Sequence, residues 1–517
     1  MSGHICRNDQ TKRMAMPPPF AGEQDIPMFP NLTIGPEFEA VVHYKEYNNP
    51  QVSLASFKRQ NPGVIIVPPW RSENDYPLPR DLPEEVKRVP RRWNEWWGGV
   101  EYQHWHDEYL EGYCLNYIRR LLRSQGIDVL IPGSTPLSID PTQRNAANTD
   151  NPEYYRWTVK LDTTVDLAED EWVLGRRLRV LNLEVVGPSM VANQASLDEI
   201  LRVLGILKRL ACLVPQSTGF HIHVGVGRAR FDVVQLRQNA AVWLALDPLF
   251  TLFHTDIRQD NSQCERNRLQ ANVARGETAA TANRNPNNDE LVTGKWGERP
   301  SEQPAPIRAC VNELLACTDV RAVAWLMRCP NRGAVNFRFY GPATNRNQMN
   351  MTGSPISKPT IEMRQAAGTL NEDWVSAYIK VVVGTVDWAR RQNPDAIRAL
   401  ATSMEELEGA GRNKVADPIT FHNLYRKYAR RFVEEYLGLK AEMDYILGRT
   451  PEQRARPTGI LNYAPPGGVP LLMSSRMIQS ERAAQEAEIA AGGRLSRSGW
   501  RGQRHSLGQG GYYPHDQ

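Results

Sequence analysis

The stretch "STGFHIHVGVG", residues 217–227, sets two histidines one residue apart within an apolar run. Side chains on a strand alternate between faces, so Phe220, Ile222, Val224 and Val226 point one way. His221, His223 and Gly225 point the other. The apolar side can rest on a core while both imidazoles share the opposite face. Neutral imidazole is the commonest metal ligand among side chains, so paired presentation points towards a ligand strand. The same alternation also describes an ordinary one-sided strand with two half-exposed histidines. The other strands have to separate these readings.

They carry the same division. In "IGPEFEAVVH", Ile34, Phe38, Ala40 and Val42 oppose Glu37, Glu39 and His43. In "LNLEVV", Leu181, Leu183 and Val185 oppose Asn182 and Glu184. "TIEMRQ" sets Ile361 and Met363 against Glu362 and Arg364, and "AVNFRFY" sets Val335, Phe337 and Phe339 against Asn336, Arg338 and Tyr340. "WTVKLDTTV" sets Trp157, Val159 and Leu161 against Lys160 and Asp162. A solvated face would be mixed Lys, Thr, Ser and Gln; these faces select Glu and His, with Arg. Two carboxylates ~4 Å apart repel by about 4 kcal/mol at an effective dielectric near 20, so a convergent set requires cations. Oxygen-rich ligation with one or two imidazoles suits Mg2+ or Mn2+. Arginines add planar, bidentate phosphate binding.

Other motifs are weaker. There is no Gly-x-x-x-x-Gly-Lys-Ser/Thr loop and no Gly-x-Gly-x-x-Gly fingerprint, so a nucleotide would depend on metals and arginines. The second His-x-His, His104 and His106 in "EYQHWHDEY", adjoins a helical stretch, where residues two apart do not share a face. It reads as surface or packing. "RRWNEWWGG", residues 91–99, reads as a packed aromatic anchor.

The 517 residues allow a large core and one to three domains, and 41% hydrophobic with 23% charged residues is ordinary for a globular protein. A net charge of +4 over this length gives no case for a membrane or a specific nucleic-acid partner. The amino terminus has no apolar core of a secretory signal, and "AAVWLALDPLFTLF" is too short to span a membrane. Seven cysteines without CxxC spacing argue against a disulfide framework, so a reducing, cytoplasmic location is expected.

Residues 1–30 read as disordered, 31–445 as a catalytic domain, and 446–517 as an extension with a Gly/Arg-rich disordered tail from 492. Helices are expected over 106–124, from Ser196 through a Ser196-x-x-Glu199 capping box, and from Asp232, Asn371 and Asp417-Pro418. Strands interrupted by such helices predict an α+β fold, with helices gathered on one side of a mostly antiparallel sheet. Residues 258–306, rich in Asn, Pro and small residues, read as a long insertion: a lid, or disorder. Arg266, Arg268 and Arg275 within it are placed to meet phosphates.

The ordered series Gly-Pro-Glu37-Phe-Glu39, Trp157 to Asp162, Glu184-Val-Val-Gly-Pro188, Gly219-Phe-His221-Ile-His223, Ala-Val-Asn336 and Thr360-Ile-Glu362-Met-Arg364-Gln-x-x-Gly368-Thr369 resembles the amidoligase family. That family is grouped with the carboxylate–amine ligases, alongside glutamine synthetase and the glutamate–cysteine ligases. The resemblance runs from Ile34 to about Trp374. It implies a curved antiparallel sheet forming a funnel like the glutamine synthetase catalytic domain, with ATP at one end and Mg2+ or Mn2+ ions between. By that analogy Glu37, Glu39, Glu184, His221 and Glu362 are metal ligands. His223 and Arg364, with Arg338 and Asn336, contact phosphate or nucleotide. Arg364, His223 and Glu39 are the catalytic candidates, and Asp162 is a weaker substrate candidate. The family usually has Ser-Pro after the Glu184 strand; Gly187-Pro188 here removes a hydroxyl. The expected activity is ATP-dependent joining of a carboxylate to an amine, each from a small molecule, peptide or protein side chain, through an acyl phosphate. A metal-dependent amide hydrolase on the same face, or a non-catalytic interaction protein keeping the fold, are the competing readings.

Overall fold

The computed structural model describes residues 29–449, without residues 30, 48–50, 62, 69–99, 132–154, 163, 166–178, 216, 228, 255–257, 259–262, 286–303 and 342–359, and with the backbone alone for 60 and 100–109. The readings made for residues 1–28, for "RRWNEWWGG" and for the tail lie outside the described residues.

The chain is an α+β fold on one sheet. Its strands are β1 (Thr33–Glu46), β2 (Ile65–Val67), β3 (Thr158–Leu161), β4 (Arg179–Val186), β5 (Met190–Val191), β6 (Cys212–Leu213), β7 (Gly219–Gly225), β8 (Val335–Asn336) and β9 (Ile361–Ala367). The main path runs β3-β4-β1-β7-β9-β8, and β2, β5 and β6 attach to the long β1. All pairings are antiparallel except β1 with β2. The sheet is open: β3 and β8 end the path without pairing to each other, and the described strands close no funnel.

The alternation read from sequence sorts the faces. Ile34, Phe38, Val42, Leu183, Val185, Phe220, Ile222, Val224, Ile361 and Met363 all join one apolar cluster. Phe38 stacks on Phe220 across β1 and β7 at 4.9 Å, and Tyr378 of the helix Glu372–Arg391 meets Phe220 from below at 6.3 Å. The helix Val233–Thr251 is apolar nearly all round and is buried at the centre of the helical layer. Asp232, Asn371 and Asp417 cap their helices as expected, each accepting a first-turn N–H.

Three local expectations fail. The capping residue of the helix Gln194–Leu207 is Asn193, whose Oδ1 accepts from Ser196 N–H, and Glu199 instead accepts from Trp157 Nε1 at 2.6 Å. Two Asx/Ser signals three residues apart compete here, and the first one starts the helix. "AVNFRFY" is a strand only over Val335–Asn336; Arg338–Tyr340 is a 3-10 turn whose ring, Tyr340, is buried. The third concerns residues 258–306. Far from being a loop, 263–285 holds the helices Asn267–Gln270 and Ala279–Arg284 and a 3-10 turn at Asn272–Arg275, with Ala271, Val273 and Ala274 in the core. Small residues pack tightly between helices, so their abundance does not imply exposure. Its arginines are committed elsewhere: Arg266 to Asp247 at 2.8 Å, Arg268 to Glu408 at 2.9 Å and Arg275 to Gln270 at 2.7 Å.

Candidate metal centre

Register brings the polar residues together. Across β1 and β7, Glu37 pairs with His221 and Gly35 with His223. Across β7 and β9, His223 pairs with Glu362, and β8 adds Asn336 opposite the same glutamate. On the other flank of β1, Glu39 faces Glu184 of β4. Glu37, Glu39, His221, His223, Glu362 and Arg364 are all buried.

The tightest part is Glu37, His223 and Glu362, which each turn one ligand atom to a common place, all within 4.8 Å of one another. His223 Nε2 lies 3.0 Å from Glu37 Oε1 and 3.9 Å from Glu362 Oε1. It is buried, yet makes no hydrogen bond of acceptable geometry. Its other nitrogen, Nδ1, is 3.0 Å from Thr360 Oγ1. A ring that donates from Nδ1 turns the Nε2 lone pair towards a carboxylate, so either a proton or a cation must lie between them. Two carboxylates and one imidazole fit a hard or borderline divalent ion such as Mg2+ or Mn2+. His221 sits one step along the strand, with Nδ1 3.4 Å from Glu37 Oε2 and Nε2 3.5 Å from Glu39 Oε1.

The charges are strongly coupled. Burial pushes the Glu362 carboxyl up, but Arg364, His223 and Arg338 together hold it well below the usual carboxylate range. Arg364 Nη1 meets Glu362 Oε1 at 2.5 Å, and Asn336 Nδ2 donates to Oε2 at 2.8 Å. Burial lowers Arg364, but Glu362, Glu39 and Glu37 raise it above its ordinary value. Glu184 goes the opposite way. Burial, then the Glu37 charge, push it up to about 7 against the pull of Lys160, whose Nζ is 2.9 Å from Oε2. A fully ionised pair is disfavoured here without a further cation.

The remaining candidates are placed further out. Arg338 is exposed in the 3-10 turn and lies 4.8 Å over the Phe339 ring, although its charge still reaches Glu362. Asp162 follows β3 and accepts from Thr164 N and Oγ1 at 2.7 Å, so it is the least integrated. His43 is buried away from the cluster, with Nδ1 2.8 Å from the Ala211 carbonyl. His104 lies on the helix Val100–Ser124.

Several contributors were not predicted. Gly219 N–H donates to Glu39 Oε2 at 2.5 Å, and a Cβ there would fall 2.4 Å from His221 Nε2. The Gly in Gly-x-His-x-His was a usable signal. Thr360 and the Gln263 carbonyl, which accepts from Arg364 Nε at 3.3 Å, carried none. Gly187, where the family usually has serine, has a steric cause: a Cβ would lie 2.6 Å from Pro36 Cδ and 3.2 Å from the Trp157 ring.

The inner strands of the antiparallel sheet thus carry a buried carboxylate–imidazole cluster with an arginine, in which Glu37, His223 and Glu362 are placed so that they could hold a metal ion. The family described as "Putative amidoligase enzyme" matches residues 118–386, a little over half of the sequence, and the chain belongs to it. No curated protein matches, and neither does any solved structure. Among the described residues, no helix is long and apolar enough to cross a membrane.

Proposed function

We propose that the protein is an ATP- and Mg2+- or Mn2+-dependent ligase that joins a carboxylate to an amine through an acyl phosphate. Membership of the amidoligase family supports an amide-bond ligase. The observation that carries the finer reading is the orphaned His223 Nε2 facing Glu37 and Glu362, in a chain with no phosphate-binding glycine loop. Kinship of the site with that of glutamine synthetase is part of the same proposal.

Glu37, His223 and Glu362 would hold one cation, and Glu39, Glu184 and His221 border a second place. Bound divalent ions would neutralise charge on the ATP phosphates. In this proposal His223 would act as a ligand in place of the phosphate contact that the resemblance implies. In the first step a carboxylate oxygen bonds to the γ-phosphorus and the bond to the β,γ-bridging oxygen breaks, releasing ADP. Arg364, with Arg338 and Asn336 at its side, would stabilise the charge spreading over the transferred oxygens. In the second step the amine nitrogen bonds to the acyl carbon and inorganic phosphate leaves. Glu39, with Oε1 beside His221, would accept the amine proton; Asp162 is the outer alternative. The substrates would be a carboxylate and an amine drawn from small molecules, peptides or protein side chains.

The test uses purified protein, ATP, Mg2+ and a panel of amino-acid and dicarboxylic acids with hydroxylamine as the amine. A hydroxamate formed only with nucleotide and metal is expected. Amide hydrolysis without any nucleotide requirement would transfer the site to a metal-dependent hydrolase.

A further inference from the structure

We infer that Arg258 forms an oxyanion-binding position at the end of the His223–His221 row, one that recognises a phosphate or a carboxylate of a substrate. The inference rests on the ligase reading only for the source of the anion. Arg258 is 1% exposed, and no carboxylate lies within ion-pair distance of it among the described residues. Its Nη1 is buried without a hydrogen-bond partner. Arg364, by contrast, is already neutralised by Glu362.

The backbone explains how a guanidinium comes to be here. The β7/β9 register shifts between Phe220, opposite Ala366, and Ile222, opposite Met363. Arg364 and Gln365 therefore both stand opposite His221, in a β-bulge. Arg258 fills the gap in the ladder, donating from Nη2 to the Arg364 carbonyl at 2.8 Å and from Nε to the Gln365 carbonyl at 3.4 Å. Gly219 leaves room for it. A Cβ on Gly219 would fall 3.2 Å from Arg258 Nη2 and 2.4 Å from His221 Nε2, so the guanidinium and imidazole share one side-chain-free space. The Cys264 thiol marks the same neighbourhood: burial pushes it up, Arg258 and Arg364 draw it down, and Glu39 pushes it up again.

Two carbonyl dipoles compensate part of the charge, but a buried cation without a counter-ion costs several kcal/mol in general. An anion beside the unpartnered Nη1 would offset that cost. Its Nη2 and the His221 Nε2 flank the same space over Gly219, so an anion there would be held next to the proposed metal ligands while a second group occupied the Glu37–His223–Glu362 end.

Anion binding is measured by calorimetry on the full chain with Mn2+ present, using pyrophosphate in one arm and succinate in the other. Wild type is compared with Arg258→Gln, which keeps two donors and removes the charge, and with Arg258→Lys. The inference predicts at least tenfold weaker binding of one probe by Arg258→Gln, with partial rescue by Arg258→Lys and unchanged Mn2+ affinity. The affected probe identifies the source as phosphate or carboxylate. Unaltered affinity for both probes, with only a lowered Tm, would reduce Arg258 to a cap for the bulge. As a second measurement that needs no variant, wild-type crystals soaked in phosphate should show density within hydrogen-bonding distance of Arg258; density at Arg364 alone overturns the inference. Neither readout requires turnover, so a failure of the ligase reading leaves this test intact.

Discussion

Glu37 and His223 approach to 3.0 Å across β1 and β7 although the ladder pairs Glu37 with His221 and sets His223 opposite Gly35. Glu37 leans diagonally across the ladder, and the same imidazole then meets Glu362 on the next strand. One diagonal contact converts a row of alternating residues into a three-strand cluster.

Glu37 should therefore trade stability for binding. Glu37→Gln removes a ligand charge at nearly constant volume and relieves the repulsion that raises Glu184. Mn2+ affinity should fall at least about tenfold, or ~1.4 kcal/mol, while Tm at pH 7.5 holds or rises. Calorimetry and thermal melts on one preparation check both. A fall in Tm with intact Mn2+ binding would show a structural role only.

Arg364 is the counter-charge that lets Glu362 stay ionised in the core. Arg364→Met should cost about 3–5 kcal/mol by leaving a buried carboxylate unpaired. Adding Glu362→Gln should recover most of that loss. Urea unfolding of the single and double variants measures the coupling, and simple additivity would contradict the pairing.

Two buried histidines set an acid limit. Burial lowers His43 against the pull of its Ala211 carbonyl, and burial with the Arg258 and Arg449 charges takes His254 well below its ordinary value. The unfolded chain binds protons there below pH ~6.5 while the native one does not, so stability should fall as pH drops through that value. Glu184 opposes this trend. Its folded value near 7 lies above the unfolded one, so its contribution is full below pH ~4.3 and is lost as pH rises through about 7. In urea titrations from pH 5 to 8, His254→Gln should flatten the acid slope, and Glu184→Gln should steepen it. No change in slope with either variant would reject these assignments.

Asn267 tests whether residues 263–285 are core rather than cover. Its side chain accepts from Val335 N–H at 2.8 Å and donates to the carbonyls of Val335 at 3.0 Å and Met327 at 3.2 Å. Asn267→Ala should cost roughly 2–4 kcal/mol through unpaired buried groups. Proteolysis within this stretch should track global unfolding and ignore added Mg2+ and ATP. Protection by Mg2+ and ATP together, and not by ATP with a chelator, would restore the lid reading.

Period-two alternation was enough to place Glu37, Glu39, His221, His223, Glu362 and Arg364 on one face, because a one-residue slip would turn these charges into the apolar cluster that holds Phe38 and Phe220. Which imidazole meets which carboxylate was not legible. That depends on the diagonal lean of Glu37 towards His223 and on the bulge opposite His221, and neither changes the periodicity. Arg338 was misplaced because an aromatic-rich run reads as a strand even where a 3-10 turn buries Tyr340. Residues 263–285 were misread because their polar groups bond inward, as Asn267 and Arg268 do, and composition cannot reveal the direction of a hydrogen bond.

The central claim is that Glu37, His223 and Glu362 hold a catalytic cation beside bound nucleotide. Anomalous diffraction from crystals grown with Mn2+ and a non-hydrolysable ATP analogue tests it most directly. The account predicts an anomalous peak ligated by His223 Nε2 and by one oxygen each of Glu37 and Glu362, with a nucleotide phosphate completing its shell. A Mn2+ peak elsewhere, with His223 still facing Glu37 alone and no phosphate near Arg364, would contradict it.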